Sequence, residues 1–135
     1  MNESEAFAAI ALASVACDGV LGQEEAHALR RQLEYRTPYK DRSEKEMALL
    51  FDDLLKRLRE GGSHQLIQNA LPQLNDAQKE TALAVAVQLV YADRTVTSEE
   101  QSFLNMLVES VDLPQGRAKT VMEAIMALNH DSLAR

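Results

Sequence analysis

A nine-residue stretch occurs twice in this chain, and this repeat restricts the folds that the sequence can adopt. Residues 17–25 are CDGVLGQEE and residues 92–100 are ADRTVTSEE. Each copy has an aspartate, an aliphatic residue three positions later, and a Glu-Glu pair six and seven positions later. Each position of the first copy has its equivalent in the second copy at the same distance along the chain. This distance, which separates Asp18 from Asp93, is here called the repeat offset. A period this long that is present twice indicates a duplicated supersecondary unit, because solenoids need three or more units.

The apolar residues around the two loops follow the same offset. Upstream of each loop, they have the i, i+3, i+4, i+7, i+8 spacing of one helix face. In the first copy this face consists of Phe7, Ile10, Ala11, Ser14 and Val15. In the second copy it consists of Ala82, Val85, Ala86, Leu89 and Val90. We therefore predict that residues 1–60 and 76–135 are three-helix halves, related by an approximate twofold within a single domain spanning residues 1–135.

The composition indicates an all-α fold. The chain has three Phe, three Tyr and no Trp, so Ala, Leu, Val, Ile and Met must build the core. With only three prolines and five glycines, such a composition is typical of a compact helical bundle. Helix start and stop signals predict about seven helices. Their approximate spans are 3–17, 23–35, 44–60, 63–71, 76–92, 98–111 and 114–128.

Local signals define several of these helix ends. Capping boxes, in which an N-cap side chain and a Glu or Gln three residues later bond each other's backbone, are predicted at three starts. Their N-cap residues are Ser43, Asn75 and Thr97. The pair Gly61-Gly62 is expected to end the third helix. The first and fifth helices are rich in alanine, which allows close approach of a neighbour, so we place both centrally.

Charge and cysteine content exclude several functional classes. A net charge of −7 argues against binding to a phosphate backbone, which requires clustered Lys and Arg. The single cysteine, Cys17, excludes an internal disulfide framework and fits a reducing compartment. No apolar run reaches membrane-spanning length, and the acidic N-terminus lacks the basic region of a signal peptide. We expect a cytoplasmic protein that neither binds nucleic acid nor inserts into a membrane.

The repeated acids are the candidate site residues. Asp18 and Asp93 follow predicted helix ends, where unsatisfied carbonyls disfavour a carboxylate. This local conflict at two equivalent positions indicates a function. Four further acids enter the first turns of the next helices: Glu24, Glu25, Glu99 and Glu100. Carboxylates without His or Cys suit a hard cation such as Ca²⁺, Mg²⁺ or Mn²⁺.

A purely structural interpretation explains the same acids. An aspartate after a helix often forms an Asx-turn, and a glutamate at the third helical position often completes a capping box. An EF-hand is excluded, because it needs a glutamate at loop position 12. Counted from the two aspartates, that position holds Leu29 and Leu104.

The segment 18–25, which follows an Ala-rich helix, resembles the loop of TerB-like tellurite-resistance proteins, where such a segment occurs near the N-terminus and recurs near the C-terminus. The resemblance covers most of the chain and is weakest over residues 61–73. It implies an all-α, cytoplasmic domain that binds divalent cations in tellurite and other chemical-stress responses, often within multiprotein, membrane-associated complexes. The acids that the resemblance implies as metal ligands are Asp18, Glu24, Glu25, Asp93, Glu99 and Glu100.

Two positions depart from the family pattern. Cys17 stands where alanine is usual, and Arg94 stands where the motif has glycine. Because Arg94 places a cation beside Asp93, we expect the first loop to be the better cation site. Cys17 is expected to be a small buried residue; a reactive thiol is the alternative, since it borders the loop.

These observations predict a non-enzymatic, cation-responsive binding module. The alternative is a metal-free scaffold that docks protein partners through the loop between Tyr35 and Arg42. This loop lies in a basic stretch that contains Arg30, Arg31, Arg36, Lys40 and Arg42. A hydrolase that uses paired carboxylates ranks lowest, because the sequence offers neither a nucleophile nor a pocket motif.

Overall fold

The computed structural model describes residues 1–92 and 95–135; Asp93 and Arg94 lie outside the described residues. The described part is all-helical and contains no β-strand, which confirms the predicted fold class. Its α-helices are α1 (Glu3–Val15), α2 (Gln23–Leu33), α3 (Glu44–Ala70), α4 (Asp76–Tyr91), α5 (Ser98–Ser110) and α6 (Arg117–Leu128). Short 3₁₀ turns cover Tyr39–Asp41, Leu71–Gln73 and Pro114–Gly116.

The third and fourth predicted helices form one element, α3, with an interruption inside it. At Gly62 the backbone leaves the helical conformation, with φ 83° and ψ 166°. Glycine adopts a positive φ without the steric cost that a Cβ imposes. Segment 63–70 then continues as helix up to Ala70. The six α-helices of the described chain, one of them interrupted, therefore correspond to the roughly seven predicted.

The three predicted capping boxes are present. Ser43, Asn75 and Thr97 each accept a hydrogen bond from the backbone N–H three residues later, at 2.9–3.1 Å. The side chain of that later residue accepts from the N-cap backbone in each case. A fourth box, between Asn2 and Glu5, opens α1.

Three helix ends differ from the prediction. Helix α1 ends at Val15 instead of Cys17, because Ala16 leaves the helical region at φ −129° and the Gly19 N–H bonds the Ala16 carbonyl at 2.8 Å. Helix α2 ends at Leu33 instead of Tyr35. The predicted start of the last helix at Pro114 is a 3₁₀ turn, since Gln115 has φ 56°, and α6 begins three residues later.

Helices α1 and α4 lie at the centre of the bundle, as predicted. Helix α1 packs against α3 and α4, and α4 also packs against α6. Six alanines of the first helix and its cap are fully buried: Ala6, Ala8, Ala9, Ala11, Ala13 and Ala16. The buried hydroxyl of Ser14 on α1 donates to the Ala11 carbonyl at 2.7 Å, so it is satisfied.

Helix positions and helix contacts recur between the two halves. Shifting α1 and α2 by the repeat offset gives spans 78–90 and 98–108, which lie within α4 and α5. The α1–α3 and α1–α2 contacts have the counterparts α4–α6 and α4–α5. The superposition of residues 1–60 on residues 76–135 stays a prediction.

The central packing predicts the effect of enlarging a buried alanine. Ala11 and Ala86 are fully buried on α1 and α4. We expect Ala11→Leu or Ala86→Leu to lower the free energy of unfolding by about 1–3 kcal/mol, because neighbouring helices must move apart. Chemical denaturation measures this loss. The control is Ala48→Leu at an exposed position of α3, where helix propensity hardly changes. Equal stability of all three variants would contradict the packing argument.

Candidate functional site

The two acidic loops line one groove, here called the acidic groove, with a volume of about 1120 Å³. It brings together five of the six predicted site residues: Asp18, Glu24, Glu25, Glu99 and Glu100. The sixth, Asp93, lies outside the described residues. Val15, Ala28 and Leu89 supply apolar lining, and Arg31 and His27 are the basic side chains among the described lining residues.

The packing of the central helices explains this convergence. Helices α1 and α4 are in contact, and the two acidic loops follow their C-terminal ends. The loops then lead into α2 and α5, whose first turns contain Glu24, Glu25, Glu99 and Glu100. Positive partial charge at a helix N-terminus favours carboxylates there. Acids from the two halves of the chain, far apart in sequence, therefore face the same volume.

The first loop is held by hydrogen bonds of its own residues and by α3. The Oδ1 atom of Asp18 accepts a hydrogen bond from the Val20 N–H at 3.0 Å, which is the Asx-turn of the structural interpretation. Gly19 has φ 87°, and its carbonyl accepts from the Nε atom of Arg59 at 2.9 Å. Arg59 thereby ties the loop to α3.

Glu25 bends back over the start of α2. A Cβ atom at Gly22, the N-cap of α2, would stand 2.7 Å from the Oε1 atom of Glu25. Glycine at this position therefore leaves room for the carboxylate beside the helix start.

After the second loop, a glutamate likewise bends back over the start of its helix, α5, and here a side chain also caps that helix. The Oε1 atom of Glu100 accepts from the Thr97 N–H at 2.9 Å, and the Thr97 Oγ1 atom accepts from the Glu100 N–H at 3.1 Å. Glu99 accepts a longer bond of 3.4 Å from the Ser98 hydroxyl. Local capping thus gives one oxygen of Glu100 a hydrogen-bond donor, and the Asx-turn does the same for one oxygen of Asp18.

The acids fit a hard divalent cation by donor type, since all are carboxylates. Their arrangement is not a ready-made metal centre: within residues 1–92 and 95–135, no three His, Cys, Asp or Glu side chains lie close enough together to hold an ion. Binding through three or more of these side chains therefore requires them to turn toward a common point.

The pKa of the Cys17 thiol depends in part on the charges in the acidic groove. It is half-buried at the groove's edge, and burial is the main cause that raises the pKa of its thiol. The carboxylates of Asp18, Glu100 and Glu99 raise that pKa further. Acids from both loops therefore act on one sulfur atom. A raised pKa keeps the thiol protonated near neutral pH, which opposes reaction through the thiolate.

The loop between Tyr35 and Arg42 is anchored to α1, which the sequence did not indicate. Tyr39 is buried and donates its hydroxyl proton to the Ser4 carbonyl. Burial raises the pKa of Tyr39 to about 12. The guanidinium of Arg42 lies over the Tyr39 ring and donates to the Ser4 hydroxyl at 3.3 Å. Tyr35, in contrast, is 82% exposed.

A second groove, here called the loop groove, lies beside this loop and has a volume of about 820 Å³. The loop contributes Arg36 and Pro38 to it, and the first turns of α1 and α4 contribute Glu3 and Gln78. The Gln78 amide donates to the Glu3 carboxylate at 3.3 Å, which links the two helix starts.

The pKa of Cys17 gives a direct test of the groove's field. Asp18→Asn removes the carboxylate that raises this pKa most, so we expect faster alkylation by iodoacetamide near neutral pH. The rates of variant and wild type should converge at high pH, where both thiols are ionised. Because Cys17 is the sole cysteine, the pH–rate profile reports this site alone. Glu109→Gln, at the far end of α5, should leave the profile unchanged. Coincident profiles for Asp18→Asn and wild type would rule out the proposed action of this acid.

None of the helices in the described ranges has the combination of length and hydrophobicity that crossing a bilayer demands.

Comparison with known proteins gives one match. A family model described as "Tellurite resistance protein TerB" matches residues 4–132. No curated protein and no solved structure matches the chain.

Proposed function

The chain belongs to the TerB family of tellurite-resistance proteins, and on this basis we propose that its acidic groove binds a divalent cation, Ca²⁺, Mg²⁺ or Mn²⁺. The family match covers residues 4–132, so this is a tellurite-resistance-associated helical domain. In the proposal it acts without catalysis, as a cation-responsive module of the chemical-stress response.

The observation that supports cation binding most strongly is the shared groove. Five carboxylates line it against one guanidinium, which leaves a formal charge of −4 among the described lining residues when His27 is neutral. Like charges in one concave surface repel each other and concentrate counter-ions. A divalent cation would relieve this repulsion, and the carboxylates of both loops add to the effect of burial in raising the pKa of Cys17.

The local roles of the acids are compatible with binding. A carboxylate has two oxygens, so Asp18 can keep its bond to the Val20 N–H and offer the other oxygen to an ion. Glu100 can likewise keep its bond to the Thr97 N–H. Mg²⁺ commonly retains several waters and uses one or two carboxylates. Such binding suits an open groove in which few acids reach a common point.

In this proposal the cation links the two halves of the chain. Asp18 and Glu25 belong to the first loop, while Glu99 and Glu100 belong to the second. An ion that draws ligands from both loops would hold the starts of α2 and α5 together. The domain would then respond to cation concentration through the relative order of these two helix starts.

Titration with CaCl₂, MgCl₂ and MnCl₂ tests the proposal, with amide NMR for Ca²⁺ and Mg²⁺ and paramagnetic line broadening for Mn²⁺. We expect saturable effects centred on residues 18–25 and 97–101 in the wild type. Asp18→Asn, Glu25→Gln and Glu99→Gln should each weaken binding, because each removes one negative charge from the groove. Glutamine at position 25 can still accept a hydrogen bond at the helix start, so α2 should remain folded.

The matched control is Glu109→Gln, which removes the same charge from α5 ten residues beyond Glu99. At about 1.5 Å per residue, this position lies about 15 Å from the groove along the helix. Its affinity should equal that of the wild type. If no ion causes a saturable effect at millimolar concentration, the cation proposal is wrong.

A metal-free scaffold is the second candidate, and the exposure of Tyr35 favours it. This side chain is 82% exposed on a loop that is itself anchored by Tyr39. A rigid loop with an exposed aromatic residue offers contact area at a low entropic cost. The cation titration separates the two candidates, because the scaffold predicts no saturable effect in the acidic groove.

A further inference from the structure

One helix contact breaks the correspondence between the two halves. Helix α3 contacts α5, and a cleft between them is lined by Ser63, His64 and Phe103. The equivalent pair, α2 and α6, is fully described and has no comparable contact. The first half thus supplies a helical segment, 63–70, after the break at Gly62.

The faces involved correspond residue by residue. Ser102, Phe103 and Met106 of α5 line the cleft against segment 63–70. At the repeat offset, their counterparts on α2 are His27, Ala28 and Arg31, and all three line the acidic groove. The acidic groove therefore lies on the face of α2 that corresponds to the α5 face beside the start of segment 63–70.

The volume of the groove is of the same order as that of a short helix. An α-helix with its side chains is about 10–12 Å wide and rises about 5.4 Å per turn, so two turns occupy on the order of 1000 Å³. The acidic groove has a volume of about 1120 Å³. Val15, Ala28 and Leu89 form the apolar floor of the groove, and Ala28 is its partly buried member while the other two are 7% exposed.

The negative charge of the groove indicates the charge that a helix bound there should carry. Its described lining residues carry five carboxylates and one guanidinium, so an acidic segment would be repelled and a neutral one would gain nothing from the rim. We propose that the acidic groove docks a basic amphipathic helix of a partner protein, with its apolar face on the floor and its Lys and Arg side chains toward the acids. The proposal uses the groove of the proposed cation site, but it does not depend on cation binding.

The experiment uses a synthetic 14-residue amphipathic helical peptide with Leu and Ala on one face and Lys and Arg on the other. A scrambled peptide of the same composition keeps the charge but loses the apolar face. Titrations of the full-length chain are followed by fluorescence anisotropy and amide NMR in the presence of EDTA. We expect saturable binding that perturbs residues 17–31 and 97–101 and weakens as salt increases. The scrambled peptide should bind more weakly.

Single charge changes locate the binding on the groove. We expect Glu99→Gln and Glu24→Gln to weaken binding about two- to fivefold, the range of one exposed ion pair. Arg31→Glu should strengthen binding, because it replaces the groove's guanidinium with a sixth carboxylate. Glu109→Gln on the same helix as Glu99 should change nothing. A gain of affinity in Arg31→Glu, with the amide shifts still centred on the groove, does not arise from loss of structure, so this variant keeps the test decisive.

Three outcomes would overturn the docking proposal: no saturable binding, equal binding of the scrambled peptide, or shifts that map outside the groove. Failure of the cation proposal has a different signature. If the peptide binds in EDTA and no divalent ion binds, only the cation proposal falls. If ions bind in the groove and the peptide does not, only the docking proposal falls. If both bind, each ion should lower the apparent affinity of the peptide, since the two occupants use the same acids.

Discussion

The close packing of α1 against α4 is the contact on which the rest of the structure depends. Six fully buried alanines of α1 and its cap give that helix a surface with little side-chain bulk. In a close-packed protein interior, a displacement of one element is transmitted to the elements that pack against it. Because the two helices lie together, the loops that follow them lie together, and so do the starts of α2 and α5. The acidic groove is a consequence of alanine packing in the core.

The acids of the groove both accept backbone hydrogen bonds and make the groove negatively charged. Asp18 and Glu100 satisfy backbone N–H groups at 3.0 and 2.9 Å, and an N-terminal cap contributes about 1 kcal/mol. The same carboxylates, brought into one groove, repel each other and raise the pKa of Cys17. Local hydrogen bonding therefore fixes acids in a place where their mutual repulsion favours a positively charged occupant. A bound cation and a bound basic helix would each offset the negative charge of these acids.

The two halves differ in what borders their second helices. The break at Gly62 lets the chain turn and continue as segment 63–70, and Ser63 and His64 then share a cleft with α5. On α2 the corresponding face remains part of the groove. Phe103 is 3% exposed, whereas its counterpart Ala28 is only partly buried. The sequence repeat thus yields two corresponding faces with different surroundings, and the proposed functions use the one that lines the acidic groove.

Much of this fold is determined by the sequence alone, because its signals are local. Capping boxes at Ser43, Asn75 and Thr97, the break near Gly62 and the Ala-rich central helices all depend on residues within a few positions of each other. The anchoring of Tyr39 on Ser4 could not be predicted in this way, since the two residues are 35 positions apart. The same holds for the meeting of Asp18 with Glu99 and Glu100 in one groove. Only the tertiary structure decides which distant side chains share a volume, because that depends on how whole helices pack.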